Sequence, residues 1–228
     1  MLFMTIPTAG NSGALLEELI ESCGLPRSNI VLVATRPNLK VPSGVTVIED
    51  LGEINIQRWW LRGIDESVKR GAKHVAVVND DISLTPDTLQ ILSTKLITSG
   101  AAVASPSRPP FSDGLHKRRL VPYEPRLWGS LWVLNARSGL RPDIHYRWWF
   151  GDNDLDIRAR KHHGGVVLAS VSFEHHNPGQ ATFASPELKA IRDLDAVTFE
   201  SQYRGLLRRS RMLTRVRKFF SVKTGAQR

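Results

Sequence analysis

The sequence predicts an α/β protein, a three-layer sandwich on a mostly parallel central sheet with helices at its C-terminal end. Three observations carry this. Short, continuous apolar runs alternate with amphipathic stretches over the first hundred residues, the pattern of strands buried on both faces and joined by helices. The 228 residues are 41% hydrophobic, enough for one sizeable core. The chain then closes on two long stretches of helical character.

Taken in order, Leu2–Ile6 reads as the first strand and runs into a Pro7-Thr8 turn. Gly13–Cys23 reads as an amphipathic helix capped by Asn11 or Ser12. Asn29–Ala34 holds a continuous apolar run expected of a strand buried on both faces, Val45–Glu49 is a short β-branched one ended by Asp50, and His74–Val78 another buried strand. Gln57–Arg70 is helical between them. Pro86–Ser99 is expected as a helix, because Pro86 suits a first helical position and Thr85 can cap it. Ala101–Ser105 follows as a strand. Residues 106–126 hold five prolines and the cluster Lys117-Arg118-Arg119, a long loop of the kind that often carries function. Leu127–Leu134 resumes strand character, and Asp152–His163 is a helix opened by acids, as its dipole favours. Val166–Phe173 is the last strand, before helices at Ser185–Glu200 and Tyr203–Phe220. These elements divide the chain into a domain over residues 1–182 and a helical, basic extension over 183–228.

The net charge of +9 is unevenly placed. Residues 1–200 balance 22 basic against 22 acidic side chains, while residues 201–228 hold nine basic side chains and no acid. The apolar and basic residues of that tail separate by helical face, so an anionic membrane surface, an acidic partner or the chain's own domain are its candidate contacts. The neutral body argues against a nucleic-acid-binding protein. Cys23 is the only cysteine, which excludes an internal disulfide and a cysteine-based zinc site. With no signal peptide and no run long enough to span a bilayer, the expected location is cytoplasmic, with peripheral membrane association through the tail as an extension of that reading.

Three clusters carry candidate chemistry. Asn79-Asp80-Asp81 sits just past the carboxyl end of a buried strand, the edge where open α/β sheets bind ligands. Adjacent carboxylates there suit a hard cation such as Mg²⁺ or Mn²⁺ bridging to diphosphate oxygens, or, more plainly, a turn and helix cap. Asp152, Asp154 and Asp156 open a helix after Trp148-Trp149, and one of them can serve as a general base or simply face the helix dipole. Glu174-His175-His176 ends a strand, and in extended chain only one of the two imidazoles can face a site.

In this order the clusters resemble the GT-A glycosyltransferases, and inverting family 2 in particular. The motifs are Thr5-Ile6-Pro7-Thr8, then NDDISLTPD over residues 79–87, and the Gly-led strand Gly129–Leu134. GDNDLDIRARKHHGG over 151–165 and SVSFEH ending at His175 complete the series. The resemblance covers about residues 1–180 and implies transfer of a single sugar from a UDP-, GDP- or dTDP-sugar to an acceptor hydroxyl, with inversion. It implies Asp81 and His175 as ligands of Mn²⁺ or Mg²⁺ and Asp152 as catalytic base. Pro7, Thr8, Asn79 and Asp80 would line the nucleotide-sugar pocket, and Arg58 or Arg62 would meet the diphosphate. The acceptor, a protein, a lipid-linked group or a saccharide, would meet Trp148, Trp149 and Asp154.

The sequence departs from the family at three places. Gly151 stands where the family usually has Glu. Thr35-Arg36 replace the acid that reads the base, which brings Arg36 to the pocket and leaves Asp50 as a substitute. The QxxRW motif of processive synthases is absent. The first departure supports a second reading, a catalytically degenerate domain kept to bind nucleotide-sugar or glycan. A nucleotidyltransferase is disfavoured, since no Gly-rich basic loop follows the first strand.

Overall fold

The central sheet of the computed structural model is a consequence of period-two alternation in strands that are apolar on both sides. The structure describes all residues except Ser12, Arg119, 177–184 and 226–228, and the side chains of 215–225. Strands β1 (Leu2–Thr8), β2 (Ile30–Ala34), β3 (Thr46–Glu49) and β4 (His74–Val78) pair in parallel in the order β3-β2-β1-β4. Helices α1 (Ala14–Ser22), α2 (Ile56–Lys69) and α3 (Thr88–Ser99) are interleaved with them along the chain.

Successive residues of each strand face opposite layers. Met4, Ile6, Ala76 and Val78 pack with Leu16, Leu19 and Ile20 of α1 and Leu89, Leu92 and Leu96 of α3. Phe3, Val75 and Val77 pack with Trp60 and Ile64 of α2 on the opposite side. Complete burial of a side chain of this size stabilises by roughly 1.5–3 kcal/mol, so these two layers dominate the folding energy.

Beyond β4 the sheet changes direction. Strand β8 (Leu131–Asn135) runs antiparallel against β4, with Val78 opposite Leu131, and antiparallel against β6 (Val103–Pro106). β9 (Val166–Ala169) pairs with β6 in parallel, and the short β7 (Gly114–His116) closes that edge. The final order is β3-β2-β1-β4-β8-β6-β9-β7. Helix α4 (Gly151–His162) contributes Leu155 and Ala159 to the α2 layer.

Three expectations are revised. The helix expected from Pro86 begins at Thr88, because Ile82–Leu84 forms a strand, β5, and Thr85 to Thr88 then make a turn closed by Thr88 N–H to Thr85 O at 3.0 Å. The single strand expected over Val166–Phe173 is two. Asp113 takes the backbone and side chain of Ser170 (2.9 and 2.8 Å) just past β9, and β10 (Phe173–His175) leaves the main sheet to pair antiparallel with β5. Within the loop expected over 106–126, Gly114–His116 has strand pairing. The α1 cap also differs. Gly13 holds the cap position without a side-chain bond, Asn11 instead accepts from Arg36 at 3.1 Å, and Ser12 lies outside the described residues.

Helices α5 (Pro186–Gln202) and α6 (Arg204–Gly225) follow. Phe199 of α5 enters a third cluster with Tyr146 and Ile157, against which Tyr203, Leu206 and Leu207 pack. Phe199, Tyr203, Leu206 and Leu207 therefore pack against the segment around Tyr146 and Ile157. Among the described residues no helix is long and apolar enough to cross a membrane.

Gly63 shows how tightly α2 lies on the sheet, since a Cβ there would fall 1.8 Å from Thr5 Oγ1 and 2.8 Å from Thr5 Cβ. Overpacking of this kind costs about 1–3 kcal/mol. Gly63→Ala is expected to lower the unfolding free energy from urea titration by that amount, whereas Gly205→Ala, where a Cβ meets nothing within 4 Å, should not lower it.

Candidate active site

Parallel pairing of β1 with β2 and β4 brings the carboxyl ends of these strands to one edge. Pro7 and Thr8 close β1, both buried. The Thr8 hydroxyl accepts from Gly10 N–H at 2.9 Å and donates to Asp80 Oδ2 at 2.6 Å, while the Thr8 carbonyl accepts from Thr35 N–H at 2.9 Å. The expected nucleotide-pocket residues Thr8 and Asp80 are thus joined directly, across 72 positions of sequence.

Asp81 lies at the turn between β4 and β5. Antiparallel pairing of β10 with β5 sets His175 opposite Ile82, and His176 N–H donates to the Asp81 carbonyl at 3.0 Å. The His175 imidazole consequently approaches the Asp81 side chain, with Nε2 3.3 Å from Oδ1. His176 points elsewhere, with Nε2 2.8 Å from Ser83 Oγ, so of the two imidazoles His175 faces the acid.

Asp81 Oδ1 is buried and makes no hydrogen bond within the protein. A buried carboxylate oxygen with an imidazole alongside suits a Mg²⁺- or Mn²⁺-sized cation. Among the described residues there is no group of three or more such ligands. The pair fits a cation that draws its other ligands from phosphate oxygens and water, the usual way Mg²⁺ is held at nucleotide sites.

The second acidic cluster reaches the same edge through β8. Asn79 N–H donates to Ser130 O at 2.9 Å, placing the Gly129-Ser130 turn beside the start of the Asn79-Asp80-Asp81 sequence. Gly129 in turn lies on Asp152, since a Cβ there would be 3.0 Å from Asp152 Oδ2. Asn79, two residues before Asp81, and Asp152 therefore both touch the Gly129-Ser130 turn at one end of the sheet. Burial pushes the Asp152 carboxyl above the usual range, and this outweighs the opposing pull of the Asn153 backbone N–H (2.9 Å) and the Arg108 charge. A carboxylate made more basic in this way is suited to accept a proton.

The 106–130 segment packs over this region. Arg108 lies over the Trp128 ring at 4.6 Å, and Trp128 meets Phe173 of β10 edge-on at 5.7 Å. Tyr123 donates to Asn153 O at 3.1 Å, and Arg126 N–H to Asp156 Oδ1 at 3.2 Å, so α4 anchors the segment. Burial, outweighing Arg160, pushes the Asp156 carboxyl up to about 6.

Other expected site residues are more occupied. Asp50 is buried and bonded by Arg58 (2.8 and 3.1 Å) and Arg62 (3.2 Å). Burial alone would raise its carboxyl, but the hydrogen bonds from the two arginines hold it below the ordinary range. Any contact of Asp50, Arg58 or Arg62 with a nucleotide competes with this cluster. Asp154 requires a correction as an acceptor residue, because both of its carboxylate oxygens are engaged inside the fold. It accepts from Arg158 at 2.7 Å and from the Tyr203 hydroxyl at 2.5 Å, which ties α4 to the α5–α6 junction. Burial and the Asp154 charge together raise the Tyr203 phenol, keeping it a donor. Trp149 is exposed and Trp148 half-buried, edge-on to Trp59 at 6.3 Å, while Trp59, Trp60 and Trp132 belong to the core.

Residues that the sequence left unmarked complete the site. Asp195 of α5 is buried and accepts from the backbone N–H groups of Arg147 (3.0 Å), Trp148 (2.7 Å) and Trp149 (2.8 Å), fixing the turn before α4. Phe150, at φ +65°, stacks on Phe199 at 5.1 Å. This left-handed conformation is strained for a bulky side chain. Gln57 of α2 lies directly over Gly151. Asp195, Gln57 and Trp128 stand in no recognisable motif, so only the fold could reveal them, whereas Arg108 opens the 108–126 stretch that the sequence offers to an acceptor.

No protein-family model matches the sequence, and neither does any curated protein. Solved structures do match. S. aureus TarS superposes with TM-score 0.54 at 11% identity, over 74% of this chain and 35% of that one. Its 1–349 portion superposes with TM-score 0.52 at 10% identity, over 83% and 64%, and the same portion in complex with UDP gives 0.51 at 14%, over 75% and 61%. The chain has the GT-A fold. It spans about a third of the first TarS chain and less than two thirds of the 1–349 portion.

Truncating Asp195 strips the partner from three backbone amides at once. An unmet buried donor costs about 1–3 kcal/mol. Asp195→Ala is expected to cost about 3 kcal/mol or more by urea unfolding, and to raise hydrogen exchange at Arg147, Trp148 and Trp149.

Proposed function

We propose that the chain is a metal-dependent glycosyltransferase that moves one sugar from a nucleotide-sugar to an acceptor hydroxyl with inversion at the anomeric carbon. The observation that carries this reading is that the Gly129-Ser130 turn touches both Asn79, which opens the Asn79-Asp80-Asp81 sequence, and Asp152. The GT-A fold and the UDP bound to TarS 1–349 support a nucleoside diphosphate as the group recognised, with UDP-sugars first in line. Thr8 and Asp80, bonded to each other, would hold the nucleoside. A cation at Asp81 and His175, completed by the donor's diphosphate, would neutralise charge on the departing nucleoside diphosphate.

In the proposed reaction the acceptor oxygen forms a bond to the anomeric carbon from the face opposite the diphosphate. The bond from that carbon to the phosphate oxygen breaks, and the acceptor proton passes to Asp152. General-base help of this kind contributes roughly 10²–10⁴-fold. Trp149, exposed beside α4, offers a flat apolar face to a sugar or an apolar acceptor. Protein, lipid-linked and saccharide acceptors all fit this chemistry. The single buried cysteine suits a reducing, cytoplasmic setting.

A thermal-shift screen of UDP-, GDP- and dTDP-sugars with and without Mn²⁺ tests donor recognition. One of them should raise Tm in a Mn²⁺-dependent way, and Asp81→Ala should remove that shift. Asp152→Asn should lower transfer at least a hundredfold while keeping the donor shift. Binding without nucleotide release from any donor would instead establish a degenerate binding domain. Since the base must be ionised, and burial raises its carboxyl, activity should climb with pH along an acid limb centred above the ordinary carboxylate pKa of about 4. An acid limb at or below that value would remove Asp152 from the role of base.

A further inference from the structure

Gln57 is the second residue of α2, and the start of that helix is bound to the segment leading into α4. Asn55 Nδ2 donates to Ile144 O at 2.9 Å, Ile56 N–H to Arg147 O at 2.7 Å, and Arg147 Nε to Ile54 O at 3.2 Å. These bonds set the Gln57 side chain on the backbone of Gly151, next to Asp152. A Cβ at Gly151 would lie 2.1 Å from Gln57 Cδ and 2.5 Å from Oε1, so the amide fills the space that any side chain at 151 would need.

Like Asp81 and Ser130 of the site and Trp60 and Trp132 of the core, Gln57 has a buried, unbonded polar atom. It is only 1% exposed, yet its Oε1 makes no hydrogen bond. The helix needs nothing from it, because Asn55 already caps α2 by accepting from Arg58 N–H at 2.9 Å. A buried amide oxygen left unmatched weakens a fold, and an apolar side chain of equal size would serve packing better. The arrangement makes sense if the oxygen has a partner that arrives with a substrate.

We infer that Gln57 is the specificity residue of the acceptor subsite, its Oε1 accepting from a hydroxyl that neighbours the attacking one. The inference rests on the transferase reading and sharpens it, since such a contact selects a polyhydroxylated acceptor over a simple alcohol. Gly151 is then the partner that makes room for the amide. The neutral amide also brings hydrogen-bonding capacity close to Asp152 without adding a second carboxylate there.

The test compares nucleotide release from the donor with the largest thermal shift, using glycerol, ribitol or methyl glucoside against 1-propanol. Wild type should favour a polyol in kcat/KM, and Gln57→Leu should lower that preference about tenfold or more. Gln57→Glu, which keeps an oxygen acceptor, should retain most of it. Gln57→Leu should also keep or raise Tm, because the oxygen it removes has no protein partner. Should Gln57→Leu fail to fold, Gln57→Met carries the same expectation for selectivity. An active wild type whose polyol preference is unchanged by the apolar variant overturns this inference alone. A wild type that releases no nucleotide from any donor overturns the transferase reading and this inference with it.

Discussion

The site depends on the antiparallel pairing of β8 against β4. Were β8 parallel, its start would lie at the far end of the sheet and Gly129-Ser130 could not meet Asn79. With Val78 opposite Leu131, the turn before β8 falls at the carboxyl end of β4. The Asn79 N–H to Ser130 O bond then holds the two acidic sequences against a shared wall. A slip of one residue would turn Trp132 and Leu134 out of the α2 layer and Leu131 and Val133 out of the other. The register that packs the core is therefore the register that assembles the site, and selection for either maintains both.

A second level of control lies in buried acids that never approach the pocket. Asp154 and Asp195 have their oxygens engaged, one by Arg158 and Tyr203, the other by three consecutive backbone amides. Together they connect α5 and the α5–α6 junction to α4 and to the turn that precedes it. The C-terminal helices thus do more than carry charge, because Asp195 sets the path of residues 147–149 and with it the position of Gly151 and Asp152. Phe199, stacked on Phe150, offsets the strain of a left-handed phenylalanine at the same turn.

The sequence made the sheet legible where its strands are apolar on both faces, as in Asn29–Ala34 and His74–Val78, because burial there leaves one periodicity. It was less clear at Ile82–Leu84 and Phe173–His175, three-residue strands that stabilise one another only when both are present. The metal-type pair was visible as types and spacing, but the choice between His175 and His176 required the β5–β10 register. Asp154 and Asp152 look alike in sequence, two acids in the first turn of one helix. Two residues of helix rotate one into the interior, toward Tyr203, and the other against Gly129. Gln57 left no trace in the sequence, since its significance comes from a glycine ninety-four positions away.

Polar atoms in this molecule fall into two kinds. Asp50, Asp154 and Asp195 are buried with every advantage of local bonding, and they behave as structure. Asp81 Oδ1 and Gln57 Oε1 are buried with no hydrogen bond, as is Ser130 Oγ in the wall between the acids. Each such atom costs about 1–3 kcal/mol relative to a bonded one, against a total stability of about 5–15 kcal/mol for a domain. Other unbonded atoms, such as Trp60 and Trp132 Nε1, lie in the α2 layer, but at Asp81, Ser130 and Gln57 that cost stands where a ligand rich in phosphate and hydroxyl groups could repay it. Binding a nucleotide-sugar and its acceptor would then supply bonds that folding alone leaves unmade, so ligands should stabilise the domain through those atoms.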